Sequence, residues 1–130
     1  MTVNLGDFRL ASTIYGKFTT FGASGAPATL AGSPVLSAYL SNDTTQLTAG
    51  FTLTADFDGV TGFNHYTIAA TNANGYATAT TYFVVITTGT VHGVSAVGQV
   101  VGMFSIENRT VNVDRVGGTA QTAGDIIGAI

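Results

Sequence analysis

Cysteine and tryptophan are absent from this 130-residue chain, proline occurs twice, and only 8% of residues are charged. Without cysteine there is neither a disulfide framework nor a thiolate metal site, and assembly in a reducing cytoplasm is permitted. The charge deficit excludes more. Arg9, Lys17, Arg109 and Arg115 are the only cations, too few to line a groove that tracks phosphates, so no nucleic-acid partner is expected. No Asp, Glu, Lys or Arg occurs from Gly59 to Ile106. That interval is nevertheless not a membrane span. A spanning helix needs about 20 consecutive, mainly apolar residues, whereas Thr87, Thr88, Gly89, Thr90, His92, Gly93 and Ser95 break this one up. The opening MTVNLGDFRLAS shows neither a basic nor an apolar signal region, and no secretory signal is expected.

What the chain does contain suits one all-β domain. Hydrophobic residues make up 45%, with Phe 8 and Tyr 5, enough to bury a real core. The apolar residues of 82–106 are mostly Val and Ile, which favour extended backbone. Period-2 alternation recurs in 12–21, 35–40, 51–58 and 63–70, then in a strand over 77–88 and a long last strand over 94–106. Turn residues separate these runs, with Asn74-Gly75 and Asp58-Gly59 suited to positive φ and Gly89 to Gly93 expected to turn the last hairpin. About seven strands predict an antiparallel two-sheet sandwich, Ig-like or jelly-roll-like. Phe51, Leu53, Phe57, Val84, Ile86, Val100 and Phe104 are its expected core. The sandwich is expected over 12–109, between an N-terminal arm at 1–11 and a C-terminal arm at 110–130.

Candidate chemistry is sparse. His65 and His92 are the only histidines, and neither comes with a nucleophile or carboxylate at a spacing that makes a site. Asp56 and Asp58 lie two apart, on one face if the strand is regular, but without the dense oxygen ligands of a calcium loop they read as a solvated face and a turn opening. No phosphate loop, nucleophile elbow or metal-spaced histidine cluster occurs, and neither catalysis nor a cofactor is expected. A surface this poor in charge is badly protected against self-association, so contact with other subunits, including copies of itself, is expected. Leu5 and Phe8 in the first arm, Ile126, Ile127 and Ile130 in the second, and Glu107 with Arg109 at the close of the uncharged interval are the expected interface residues.

Three stretches carry a family resemblance: KFTTFGASGAPATLAGSPVLSAYLSND (17–43), LTADFDGVTGFNHYTI (53–68) and YFVVITTGTVHGVSAVGQVVGMFSIENR (82–109). Together they resemble small β-sandwich virion proteins of tailed bacteriophages, including virion-proximal modules of baseplate and fibre proteins. The quoted residues are turn and core residues, so the resemblance implies a structural role and no active site. It implies a virion location, assembly in the bacterial host cytoplasm, and the major capsid protein or other virion proteins as partners. A capsid decoration or cement protein is the expectation. An anchor module of a fibre or baseplate, or a glycan-binding adhesin sandwich using Tyr66, Tyr76 or Tyr82 as stacking platforms, is the alternative. If the second arm docks on neighbours, deleting residues 117–130 should leave the unfolding midpoint of the domain nearly unchanged while weakening its association, as read by thermal denaturation and light scattering.

Overall fold

A computed structural model describes residues 3–109 and the backbone of 115–120. In chain order the strands are β1 (Asn4–Phe8), β2 (Thr13–Thr19), β3 (Ala31–Leu40), β4 (Gln46–Leu47), β5 (Phe51–Thr54), β6 (Phe63–Ala69), β7 (Thr80–Val91), β8 (Val94–Ser95), β9 (Val100–Ile106), β10 (Arg115–Val116) and β11 (Thr119–Ala120). Among the described residues the helical elements are two short 3-10 turns, Phe57–Gly59 and Asn72–Asn74. Among the described residues no helix is long and apolar enough to cross a membrane.

Two sheets face each other. The larger runs β1-β9-β7-β3-β4, with β8 folded back on β7, and the smaller runs β2-β6-β5. β10 and β11 form a separate hairpin turned by Gly117 and Gly118, both at positive φ. The alternation expected from sequence is plainest in the smaller sheet. β2 sends Ile14 and Phe18 inward and Tyr15 and Lys17 outward, and β6 buries Asn64, Tyr66 and Ile68. The architecture is all-β and sandwich-like, but not wholly antiparallel. β1 lies parallel to β9, with Asn4 opposite Met103 and Phe8 opposite Ile106. Residues 4–8, expected in a free arm, are therefore an edge strand. Most of the expected C-terminal arm lies outside the described residues.

Two bulges decide which residues reach the interior. β7 and β3 pair Thr88 with Val35 but Ile86 with Leu36, which leaves Thr87 as an extra residue. An extra residue flips every side chain beyond it to the other face, so the buried set passes from Tyr82, Val84 and Ile86 to Gly89 and Val91. Thr87 is held in place by hydroxyl contacts to Ser37 (2.9 Å) and to the carbonyl of Val35 (3.3 Å). In β9, Val85 faces Val100 and Val84 faces Gly102, so Val101 is the extra residue. It is buried while Val100, expected in the core, stands 39% exposed. The expected turn at Gly89 to Gly93 shrinks to His92 and Gly93, at φ 50° and 75°, because β7 runs on to Val91. The expected long last strand is interrupted after β8 by a turn at 96–99, in which the Gly98 N–H donates to the Ile86 carbonyl (2.9 Å).

The core confirms Val84, Ile86 and Phe104 as buried. Phe51 and Leu53 are partly buried and pack against it; Phe57 follows β5 in a turn and covers the outside of the smaller sheet. Two aromatic groups fill the interior. Tyr76, Tyr82 and Phe104 pack with centroids 5.0 to 6.0 Å apart. The Tyr82 hydroxyl accepts the Ala77 N–H at 2.8 Å and donates to the Ala77 carbonyl at 3.4 Å, tying the start of β7 to the connection before it. Tyr66 is wedged across the sandwich beside Phe18 (5.9 Å) and Phe51 (6.2 Å). A Cβ on Gly16 or on Gly102 would overlap its ring or hydroxyl, so glycine at both positions makes room for it.

That wedge is testable. Gly16→Ala and Gly102→Ala should each cost about 1–3 kcal/mol through overpacking. The Tyr66 hydroxyl is buried without a hydrogen-bond partner among the described residues, so Tyr66→Phe should preserve or raise the unfolding midpoint. Burial pushes the Tyr66 pKa up from 10.0 to about 12. The fold thus holds the neutral phenol, and its contribution is complete below pH 10.0 and lost as pH rises towards about 12. Chemical denaturation across that alkaline range should show the loss in the wild type and less of it in Tyr66→Phe.

Candidate interaction surfaces

The charged residues expected at an interface serve first to fasten β1. Leu5 and Phe8 are half-buried and pack against the core. The Asp7 carboxylate accepts the Ser105 hydroxyl and the Asn108 N–H (3.0 Å). β9 ends at Ile106, and Glu107 turns away at φ 43°. Its N–H donates to the Phe8 carbonyl (2.9 Å), and its Oε2 accepts the Leu10 N–H (3.0 Å). Glu107 and Arg109 therefore do not share a strand face. Arg109 is exposed and acts on Asp7 through its charge. Ile126, Ile127 and Ile130 lie outside the described residues.

The candidate catalytic side chains are dispersed. Asp56 sits at φ 51° beyond the end of β5, its Oδ1 accepting the Gly62 N–H and its Oδ2 the Thr29 hydroxyl, both at 2.7 Å. It fixes the turn over 56–62. Gly62 is required there, at φ 77°, because an added Cβ would lie 2.7 Å from the Ala28 N and 2.8 Å from the Thr20 carbonyl oxygen. Asp58, also left-handed at φ 58°, is exposed, so no strand face presents the two carboxylates together. His92 occupies its turn with the ring against Gly22. Among the described residues no group of three His, Cys, Asp or Glu side chains could hold a metal ion.

Two surfaces stand out instead. The first is an apolar end. Thr20 points inward, donating its hydroxyl to the Ala28 carbonyl (2.7 Å), so its neighbour Phe21 points out and is 57% exposed. A groove of about 500 Å³ runs between Phe21, Val3 and Val100, and a smaller one of about 210 Å³ lies between Phe21, Ala23, His92 and Val94; Gln99 lines both. Neither groove is lined by an Asp, Glu, Lys or Arg side chain. Val94 and Val97 are likewise exposed. The sequence holds a signal for this end in its uncharged interval, but the exposure of Phe21 follows only from the inward turn of Thr20.

The second surface is the outer face of the smaller sheet. Tyr15 on β2 and His65 on β6 are diagonal neighbours with near-parallel rings, 19° apart and 6.3 Å between centroids. Phe57 folds back from its turn to lie 4.6 Å from His65 and 6.0 Å from Phe63. Lys17 places Nζ 5.1 Å above the Phe57 ring and 3.2 Å from His65 Nδ1. The tyrosines expected as stacking platforms, Tyr66, Tyr76 and Tyr82, are all fully buried; the ring offered to solvent is Tyr15, 63% exposed.

No family model matches the chain, and no curated protein or solved structure matches it either.

The β1 fastening carries a pH dependence. The Asp7 pKa is lowered first by the Ser105 hydrogen bond, then by the Asn108 N–H and by the Arg109 charge. A carboxylate held below its ordinary value of 3.8 stabilises the fold above that value and stops doing so as pH falls through the lowered one. Asp7→Asn should therefore lower the unfolding midpoint at neutral pH and make little difference in strong acid, as measured by thermal denaturation at both.

Proposed function

We propose that this chain is a non-enzymatic structural subunit of a bacteriophage particle, a capsid decoration or cement protein that docks on the major capsid protein or another virion protein. The observation that carries the docking role is the apolar end, where Phe21 is 57% exposed beside Val3, Val94, Val97 and Val100. Exposed apolar side chains gathered at one end mark an interaction site. The virion assignment rests on the resemblance of 17–43, 53–68 and 82–109. The strand orders β1-β9-β7-β3-β4 and β2-β6-β5, with β1 parallel to β9, support the Ig-like of the two expected topologies. So does Tyr82, whose hydroxyl bonds the backbone five residues upstream, as a tyrosine corner does in that fold.

Gold-labelled antibody raised against the chain should mark the shell of virions of the encoding phage. Label at the tail or baseplate would favour the anchor-module reading, and unlabelled virions would overturn both. Fully burying one phenylalanine contributes about 1.5–3 kcal/mol, so Phe21→Ser should compete at least about tenfold less well than wild type for places on the shell. Equal competition would move the docking site away from this end.

A further inference from the structure

The outer face of the smaller sheet is not used by the apolar end: Tyr15, Lys17, Phe57 and His65 line neither groove. We propose that this face is a second binding site, one for an acidic carbohydrate, in which a pyranose ring lies on Tyr15 and His65 and a uronate-type carboxylate meets Lys17. The Tyr15 ring, 63% exposed, offers an open aromatic face suited to the C–H face of a sugar, and the His65 ring lies near-parallel to it on the adjacent strand, 6.3 Å away between centroids.

The polar groups around them donate. An ammonium has donors only, so the 3.2 Å contact makes His65 Nδ1 the acceptor and leaves Nε2–H as a donor. Lys17 Nζ keeps two further N–H groups. It meets no carboxylate within ion-pair distance among the described residues, although the chain carries seven carboxylates to four Lys and Arg. A fixed cation without an acidic neighbour complements a ligand that brings its own carboxylate. Fixing matters as well: Phe57 beneath Nζ and His65 beside it hold a side chain that would otherwise lose entropy on binding. An acidic peptide would satisfy Lys17 as well, but its backbone carries no ring of aliphatic C–H groups to lie on the exposed Tyr15 face, which is why that ring favours a sugar. Thr54, opposite His65, and Thr67, opposite Tyr15, add hydroxyls at the margins.

The test is calorimetric titration of the full chain with a mannuronate oligomer, a neutral malto-oligosaccharide of the same length and poly-glutamate. The mannuronate oligomer should bind, with the neutral sugar at least about tenfold weaker. Tyr15→Ala and Lys17→Gln should each weaken mannuronate binding about tenfold or more. Tyr15→Leu, which keeps an apolar side chain on the strand, should do the same if Tyr15→Ala fails to fold. Phe21→Ser should leave the sugar affinity unchanged, so failure of the docking role and failure of this site are read separately. The proposal is overturned if the mannuronate oligomer does not bind, if its binding survives loss of the Tyr15 ring, or if poly-glutamate binds as tightly with the same dependence on Tyr15.

Discussion

Tyr66 crosses the space between the sheets, and the strands beside it tolerate the ring only because glycine stands at 16 and 102. Gly16 is its partner on β2, and Gly102 belongs to β9 in the opposite sheet. One side chain therefore sets how closely the sheets approach there. Phe18 and Phe51 close around its ring, and Leu5 comes within reach of the same spot from β1. Interiors pack at near-crystalline density, so these positions form one shape rather than independent contacts. The hydroxyl at the end of the wedge, lacking a hydrogen-bond partner among the described residues, opposes the gain from burying the ring.

Around this core the few charges and the many apolar surfaces divide the molecule's tasks. Asp7 and Glu107 spend their hydrogen-bonding capacity on the backbone and hydroxyl groups that hold β1 in place. Asp56 does the same for the turn behind β5. Asn64 and Thr20, both buried, fasten the loop after β2 through the 3.1 Å bond between them. The apolar end carries no fixed charge, and the ring-lined face holds one cation.

Alternation made the strands legible. It placed Val84, Ile86 and Phe104 inside, and the two-residue turn at His92 and Gly93 falls within the stretch expected to bend. It failed where the chain gains a residue without changing character. Nothing distinguishes Thr87 or Val101 as a bulge among so many β-branched neighbours, so Val100 was assigned to the face that Val101 occupies. Asp56 and Asp58 continue a period-2 pattern on paper, yet both take left-handed backbone, and the strand has ended at Thr54. Glu107 fails for the same reason one residue past β9. The outer-face cluster was invisible because it joins residues from two strands and a turn, a diagonal relation that spacing along one strand cannot express. Buried Tyr66 and Tyr76 misled in the other direction: a phenol suggests a wet edge, and here both rings are enclosed.

The parallel placement of β1 against β9 has a mechanical meaning. A pull applied between the start of β1 and the end of β9 draws the two strands along each other, so their cross-strand hydrogen bonds and the clasps at Asp7 and Glu107 are strained together rather than unzipped in turn. Resistance to such a load is a matter of unfolding rate more than of equilibrium stability. A load along this edge is therefore met by all of its cross-strand bonds at once.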